Sequence, residues 1–198
     1  MNNTSSQSAG NPTRDTDVAW LTGIFEGEGC ITLTMAPKKN GDFAQVIASI
    51  ANTDFAIIEM CGEILKAAGV GRHIGRQAAG KHRIKDLKQL RVTGFKRVAA
   101  FGELLMPHLV GVKRLQMQNA LAFTYSRLLT PGRSGGKERT TKPYNARELW
   151  NIEIAKLLKG SPNDHTPELV DEINKIWSGL RRQYAEVAEM TTRPENGV

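Results

Sequence analysis

Residues 20–30 tie a helix to a strand with almost no slack. The run Leu21-Thr22-Gly23-Ile24-Phe25-Glu26-Gly27-Glu28-Gly29 places Gly23 and Gly27 four apart on an apolar segment. Residues four apart share one face of a helix, so this helix is bare on one side. It ends in two carboxylates, Glu26 and Glu28, and leads straight into residues 30–35. There Ile31, Leu33 and Met35 alternate with Cys30, Thr32 and Thr34, the pattern of a half-buried strand. The C-terminal end of a helix carries partial negative charge, so carboxylates there are unfavourable unless a cation stands near. A bound metal ion is the simplest such cation.

The rest of the pattern alternates helices with strand pairs. The first helix starts at Asp15 or Asp17 and stops at Gly27. Residues 37–41 form a basic turn. In the second strand, residues 45–51, Val46, Ala48 and Ile50 face one way and Gln45, Ile47 and Ser49 the other. Thr53 caps a second helix over residues 54–68, and Gly69 ends it. Residues 72–76 and 88–93 form a hairpin around a basic loop, with Leu90 and Val92 inward and Gln89, Arg91 and Thr93 outward. Helices over residues 96–105 and 112–129 follow, separated by Pro107 and Gly111. The order predicts an α+β fold: an antiparallel four-stranded sheet with helices on one face. By composition, residues 1–14 read as a disordered lead and 15–130 as the core. Residues 131–142 read as a basic linker and 143–198 as a C-terminal helical cap.

Net charge is +7, and its distribution says more than its size. Residues 1–70 hold 4 Lys/Arg against 8 Asp/Glu, whereas residues 71–97 hold 9 against the single Asp86. Residues 111–142 hold 7 against the single Glu138. Basicity gathered into two central segments points to a polyanion, and nucleic acid fits best. No apolar run approaches the roughly 20 residues of a membrane span, and the polar N-terminal lead has neither feature of a signal peptide. The two cysteines, Cys30 and Cys61, form no disulfide framework or zinc-ligand spacing, so the expectation is an intracellular, reducing compartment.

Residues 21–29 resemble the LAGLIDADG signature of homing endonucleases: Leu first, Gly third, acids sixth and eighth, Gly last. The αββαββα order and the run Pro107-His108-Leu109-Val110-Gly111-Val112-Lys113-Arg114 extend the likeness over about residues 15–130. The resemblance implies a site-specific enzyme that hydrolyses both strands of a long pseudo-palindromic DNA target and leaves 3′ overhangs. Because the chain carries one copy of the motif, it implies a homodimer built across Leu21, Gly23, Ile24 and Gly27. It makes Glu28 the metal-binding carboxylate, with the Gly27 carbonyl as a second ligand. The implied metal is Mg²⁺ or another divalent ion such as Mn²⁺, while Ca²⁺ could bind without supporting cleavage. Lys113 is the implied basic residue beside the cleavage centre, and Asn52 aligns with a residue that orients water. Glu26 reads equally as a catalytic group or as a buttress of the helix end.

Outward side chains of the sheet are the expected readers of base edges: Gln45, Ser49, Arg72, Arg76, Gln89, Arg91 and Thr93. Lys38, Lys39, Lys81 and Arg83 are placed on phosphates. Two other functions fit the same residues. One is an RNA maturase that binds its host intron, and the other is a regulator that binds DNA without cutting it.

Overall fold

The computed structural model describes residues 13–37, 43–79, 85–130, 143–160 and 165–192. In order, its elements are α1 (Asp15–Glu28), β1 (Gly29–Ala36), β2 (Phe43–Asn52), α2 (Phe55–Ala67), β3 (His73–Gln77), β4 (Leu87–Thr93), α3 (Phe95–Leu105), α4 (Gly111–Leu129), α5 (Ala146–Leu157) and α6 (Pro167–Thr192). The strands form one antiparallel sheet in the order β1-β2-β4-β3. Successive residues of a strand point to opposite faces. Ile31 and Leu33, Val46, Ala48 and Ile50, and Leu90 and Val92 are buried on one face. Helices pack against that side, and among the described residues no helix covers the other.

Each helix forms for a readable reason. In α1, Val18, Leu21, Thr22 and Phe25 recur at helical spacing and are buried. The Phe25 ring meets Phe101 of α3 edge-on, with centroids 5.2 Å apart. Helix α2 is capped by Asp54 rather than the expected Thr53: the Asp54 carboxylate accepts from Ala56 N–H at 2.9 Å. Gly69 ends it at φ 71°, and Val70 N–H donates back to the Leu65 carbonyl at 2.8 Å.

Helix α4 is buried from Met117 to Ser126, polar residues included. A buried polar group is tolerable only when paired, and the C-terminal helices supply the partners. Asn119 and Asn151 of α5 exchange hydrogen bonds at 2.7–2.8 Å, one of them to the Asn151 carbonyl. Gln118 donates to Asn174 of α6 at 2.8 Å. The wholly buried Glu148 closes a capping box with Asn145, accepts from Ser126 at 3.0 Å and pairs with Arg127 at 3.4 Å. Ile152 of α5 and Leu180 of α6 belong to the same apolar core as the sheet residues. The segment expected as a cap therefore packs into the core. Residues 1–12 of the expected lead and the whole expected linker, 131–142, lie outside the described residues. Among the described residues no helix is long and apolar enough to cross a membrane.

The α1–β1 junction is the tightest point. Gly29 has an extended backbone (φ −82°, ψ 152°), so its conformation alone would admit any residue. Space is the constraint: a Cβ there would lie 2.3 Å from both the Phe25 ring and the Phe25 carbonyl oxygen. Gly29→Ala is therefore expected to cost about 1–3 kcal/mol by overpacking. Urea unfolding checks this, and an unchanged midpoint at unchanged slope would remove the steric account.

Candidate nucleic-acid interface and catalytic tip

The two acids of the motif have separate environments. Glu26 accepts from Val110 N–H at 2.8 Å, and Val110 is the residue preceding α4. A carboxylate at a helix N-terminus is electrostatically favourable, so Glu26 buttresses the α3–α4 turn. Glu28, the last residue of α1, is exposed, and no described residue pairs with it. Lys113 of α4 reaches the same point: its Nζ donates to the Gly29 carbonyl at 2.6 Å and sits 5.7 Å from the Phe25 ring centroid. The cation that the helix end requires is thus partly supplied by the chain itself.

The tip offers oxygen donors only. The Glu28 carboxylate is open to solvent, and the Gly27 carbonyl belongs to the last turn of α1, where helical partners run out. Such a set fits a hard divalent cation. Among the described residues no three His, Cys, Asp or Glu side chains cluster to hold a metal. The tip by itself thus supplies two oxygen donors, fewer than such a cation takes. Asn52, expected to orient water, is engaged in the turn into α2, where its side-chain oxygen accepts from Asp54 N–H at 2.8 Å.

The outer face of α1 is bare. Gly23 and Gly27 are exposed, and a Cβ built on either would meet nothing within 4 Å. No described helix of the same chain packs against them. Trp20 and Ile24 flank them, half-buried. Leu21, expected on this face, is fully buried in its own core instead. With 3.6 residues per turn it points with Val18 and Phe25, away from Gly23 and Gly27.

The open sheet face carries Gln45, Ser49, Gln89, Arg91 and Thr93, as expected from their alternation with buried neighbours. One row crosses all four strands: Cys30 opposite Ser49, Ser49 opposite Arg91, and Arg91 opposite His73. Gln89 accepts from Gln77 Nε2 and from Arg91 Nε, each at 2.8 Å. His73, Gln77, Thr32 and Thr34 were not among the expected readers, although β-alternation about Ile74 and Leu33 puts them on this face.

Arg72 and Arg76 are not on it. Ile74 opposes the buried Leu90, so positions 74 and 76 take the helix side. Arg76 opposes Lys88, donates to Asp86 at 3.0 Å and lies 5.6 Å from the Phe55 ring centroid of α2. Arg72, just before β3, pairs with Glu63 of α2 at 3.5 Å. Lys88 also faces α2, pairing with Glu59 and lying 5.1 Å from the Phe55 ring centroid. Three bases of the basic hairpin thus clamp it to α2. Lys38, Lys39, Lys81 and Arg83 lie outside the described residues.

No protein-family model and no curated protein matches the sequence. Solved structures do. The homing endonuclease I-CvuI in complex with its target in the presence of 2 mM Ca is similar at TM-score 0.55 and 18% identity, over 83% of this chain and 94% of that one. I-CvuI in complex with the I-CreI target in the presence of 2 mM Mg, with the DNA not cleaved, is similar at TM-score 0.50 and 20% identity, over 82% and 95%. At these identities the likeness is one of architecture, and it agrees with the nine-residue motif, the strand order and the helical layer. The chain has the LAGLIDADG homing endonuclease fold.

Proposed function

We propose that this protein is a site-specific endonuclease that acts on double-stranded DNA as a homodimer. The observation that carries the reading is the α1 tip. An exposed, unpaired Glu28 stands one residue from the start of a polar sheet face, with the Lys113 ammonium at the adjoining carbonyl. The structural likeness to I-CvuI, solved in complex with DNA targets, supports the same reading.

In this reading the bare α1 faces of two copies pack backbone to backbone about a two-fold axis. Trp20, Gly23, Ile24 and Gly27 form the seam, and the two Glu28 residues meet near the axis. Each sheet faces one half-site of about one helical turn. Glu28 and the Gly27 carbonyl would hold Mg²⁺, or Mn²⁺ in its place. When bound, the ion lowers the pKa of water and stabilises charge on phosphate oxygens. The chain's own residues do the rest. Glu26 and Lys113 fix the position of the tip, and Lys113 places positive charge where the phosphate gains negative charge. Asn52 contributes by holding the turn at the end of β2. Residues of the open sheet face set which duplex is bound.

Glu28→Gln is expected to keep the fold, because the side chain is exposed. Cleavage of a randomised duplex library with Mg²⁺ should fall on the order of 10³-fold, as loss of several kcal/mol of transition-state stabilisation requires. Cleavage by the variant at the wild-type rate would overturn the role of Glu28. If neither protein cuts any duplex, the enzyme reading fails, and binding of DNA or intron RNA without cutting takes its place.

Gly23→Leu tests the dimer. The position has open space within its own chain, so the chain should fold, while the seam is overpacked and assembly is lost. Sedimentation at micromolar concentration reads the result. A wild-type chain that sediments as a monomer, and binds as one subunit per duplex, rules the dimer out.

A further inference from the structure

On the open sheet face, Gln89 is committed before any ligand arrives. Arg91 Nε can only donate, so the Gln89 atom it meets at 2.8 Å is the carbonyl oxygen Oε1. Gln77 Nε2 donates to the same oxygen at 2.8 Å. Both lone pairs of Oε1 are therefore engaged. Reading adenine needs a side-chain amide that offers its oxygen and its nitrogen together to one base edge. Gln89 cannot offer both without breaking two hydrogen bonds.

The same network gives Arg91 a fixed orientation. Holding Nε fixes the plane of the guanidinium, because the group is rigid and planar. No described residue engages Nη1 or Nη2. Arg91 lies on β4, an interior strand of the sheet, flanked in register by Ser49 on β2 and His73 on β3. Gly75, opposite Gln89, has no side chain, and the group nearest to where one would start is the His73 ring. Arg91 is exposed, so its two Nη groups remain accessible, and such a pair of N–H donors matches the two acceptors N7 and O6 that guanine presents in the major groove. Cytosine offers a donor there and would leave the pair unmatched.

We propose that Gln89 is a positioning residue that holds Arg91 by Nε, and that Arg91 so held reads a guanine in each half-site. The inference rests on the DNA-binding reading of the sheet. It assigns Gln89 a role distinct from base contact and makes Arg91 a specificity-determining residue.

The test is selection by binding from a pool of double-stranded DNA with a randomised segment, without Mg²⁺, followed by sequencing. Wild type should enrich a consensus with a G·C pair at one position of each half-site. Arg91→Ala should erase that preference and so mark the position. Gln89→Leu, which keeps the bulk but offers no acceptor, should weaken the same preference about tenfold, of the order expected for one bidentate base contact. Gln89→Glu, whose carboxylate still accepts both bonds, should retain it. A merely structural role for Gln89 would not single out one base pair or be rescued by Glu. The inference is overturned if Gln89→Leu leaves the G·C preference intact, if the loss falls on an A·T pair instead, if Gln89→Glu fails to restore it, or if Arg91→Ala weakens binding to all sequences alike. If wild type enriches no sequence, the DNA-binding reading itself falls, and this inference falls with it.

Discussion

The absence of a side chain at position 29 governs the geometry of the whole tip. Phe25 fills the space where a Cβ would stand, so α1 can pass into β1 without an intervening loop. Glu28 is then the last residue of a helix and the immediate neighbour of a strand. Three helices meet at this junction. Phe25 packs on Phe101 of α3, Glu26 holds the backbone entering α4, and Lys113 of α4 reaches the Gly29 carbonyl. These contacts fall within five consecutive residues, 25–29. The crowding around Gly29 holds the end of α1 in one place relative to β1 and α4.

Helix α1 buries one stripe in the core and leaves another bare. Its inner stripe, Val18, Leu21, Thr22 and Phe25, is buried in its own core. Its outer stripe carries Gly23 and Gly27, flanked by the half-buried Trp20 and Ile24. The C-terminal helices could in principle have covered that stripe, yet α5 and α6 pack against α4 and β1 instead. There they satisfy the buried polar groups of α4, such as Asn119 and Gln118. They thicken the helical layer on the side away from the open sheet face, and among the described residues none of their side chains lies near Gly23 or Gly27.

Much of this was legible in the sequence because hydrophobic alternation is a strong signal wherever one face is buried. It gave the faces of β1, β2 and β4 correctly, and Gly69 correctly as a stop. It misled in β3, which has one apolar residue to set the phase. Arg72 and Arg76 share parity with Ile74, so a reading that puts Ile74 inward has to take Arg76 with it. Weight given to charge obscured that parity. The same one-residue rule would have put His73 and Gln77 on the open face. Leu21 was misplaced because a motif marks which residues matter, whereas the phase of the helix decides which way each points. The choice of Asp54 over Thr53 as the cap, and the turn bond of Asn52, depend on local backbone geometry that composition does not encode.

The basic hairpin changes meaning once its partners are known. Read as a count, its lysines and arginines form one electrostatic footprint. In the structure, Arg72, Arg76 and Lys88 are paired with Glu63, Asp86 and Glu59, two of them lying beside the Phe55 ring. Their charge is largely balanced on the helix side, where they anchor the strands. What faces outward on β3 and β4 is His73, Thr93 and a short hydrogen-bonded row of two glutamines and Arg91. Free basic side chains attract any polyanion and discriminate little. A guanidinium held in one plane discriminates by direction. The clamp behind the sheet and the network in front of it thus divide the work: one keeps β3 and β4 in register, and the other fixes where Arg91 points.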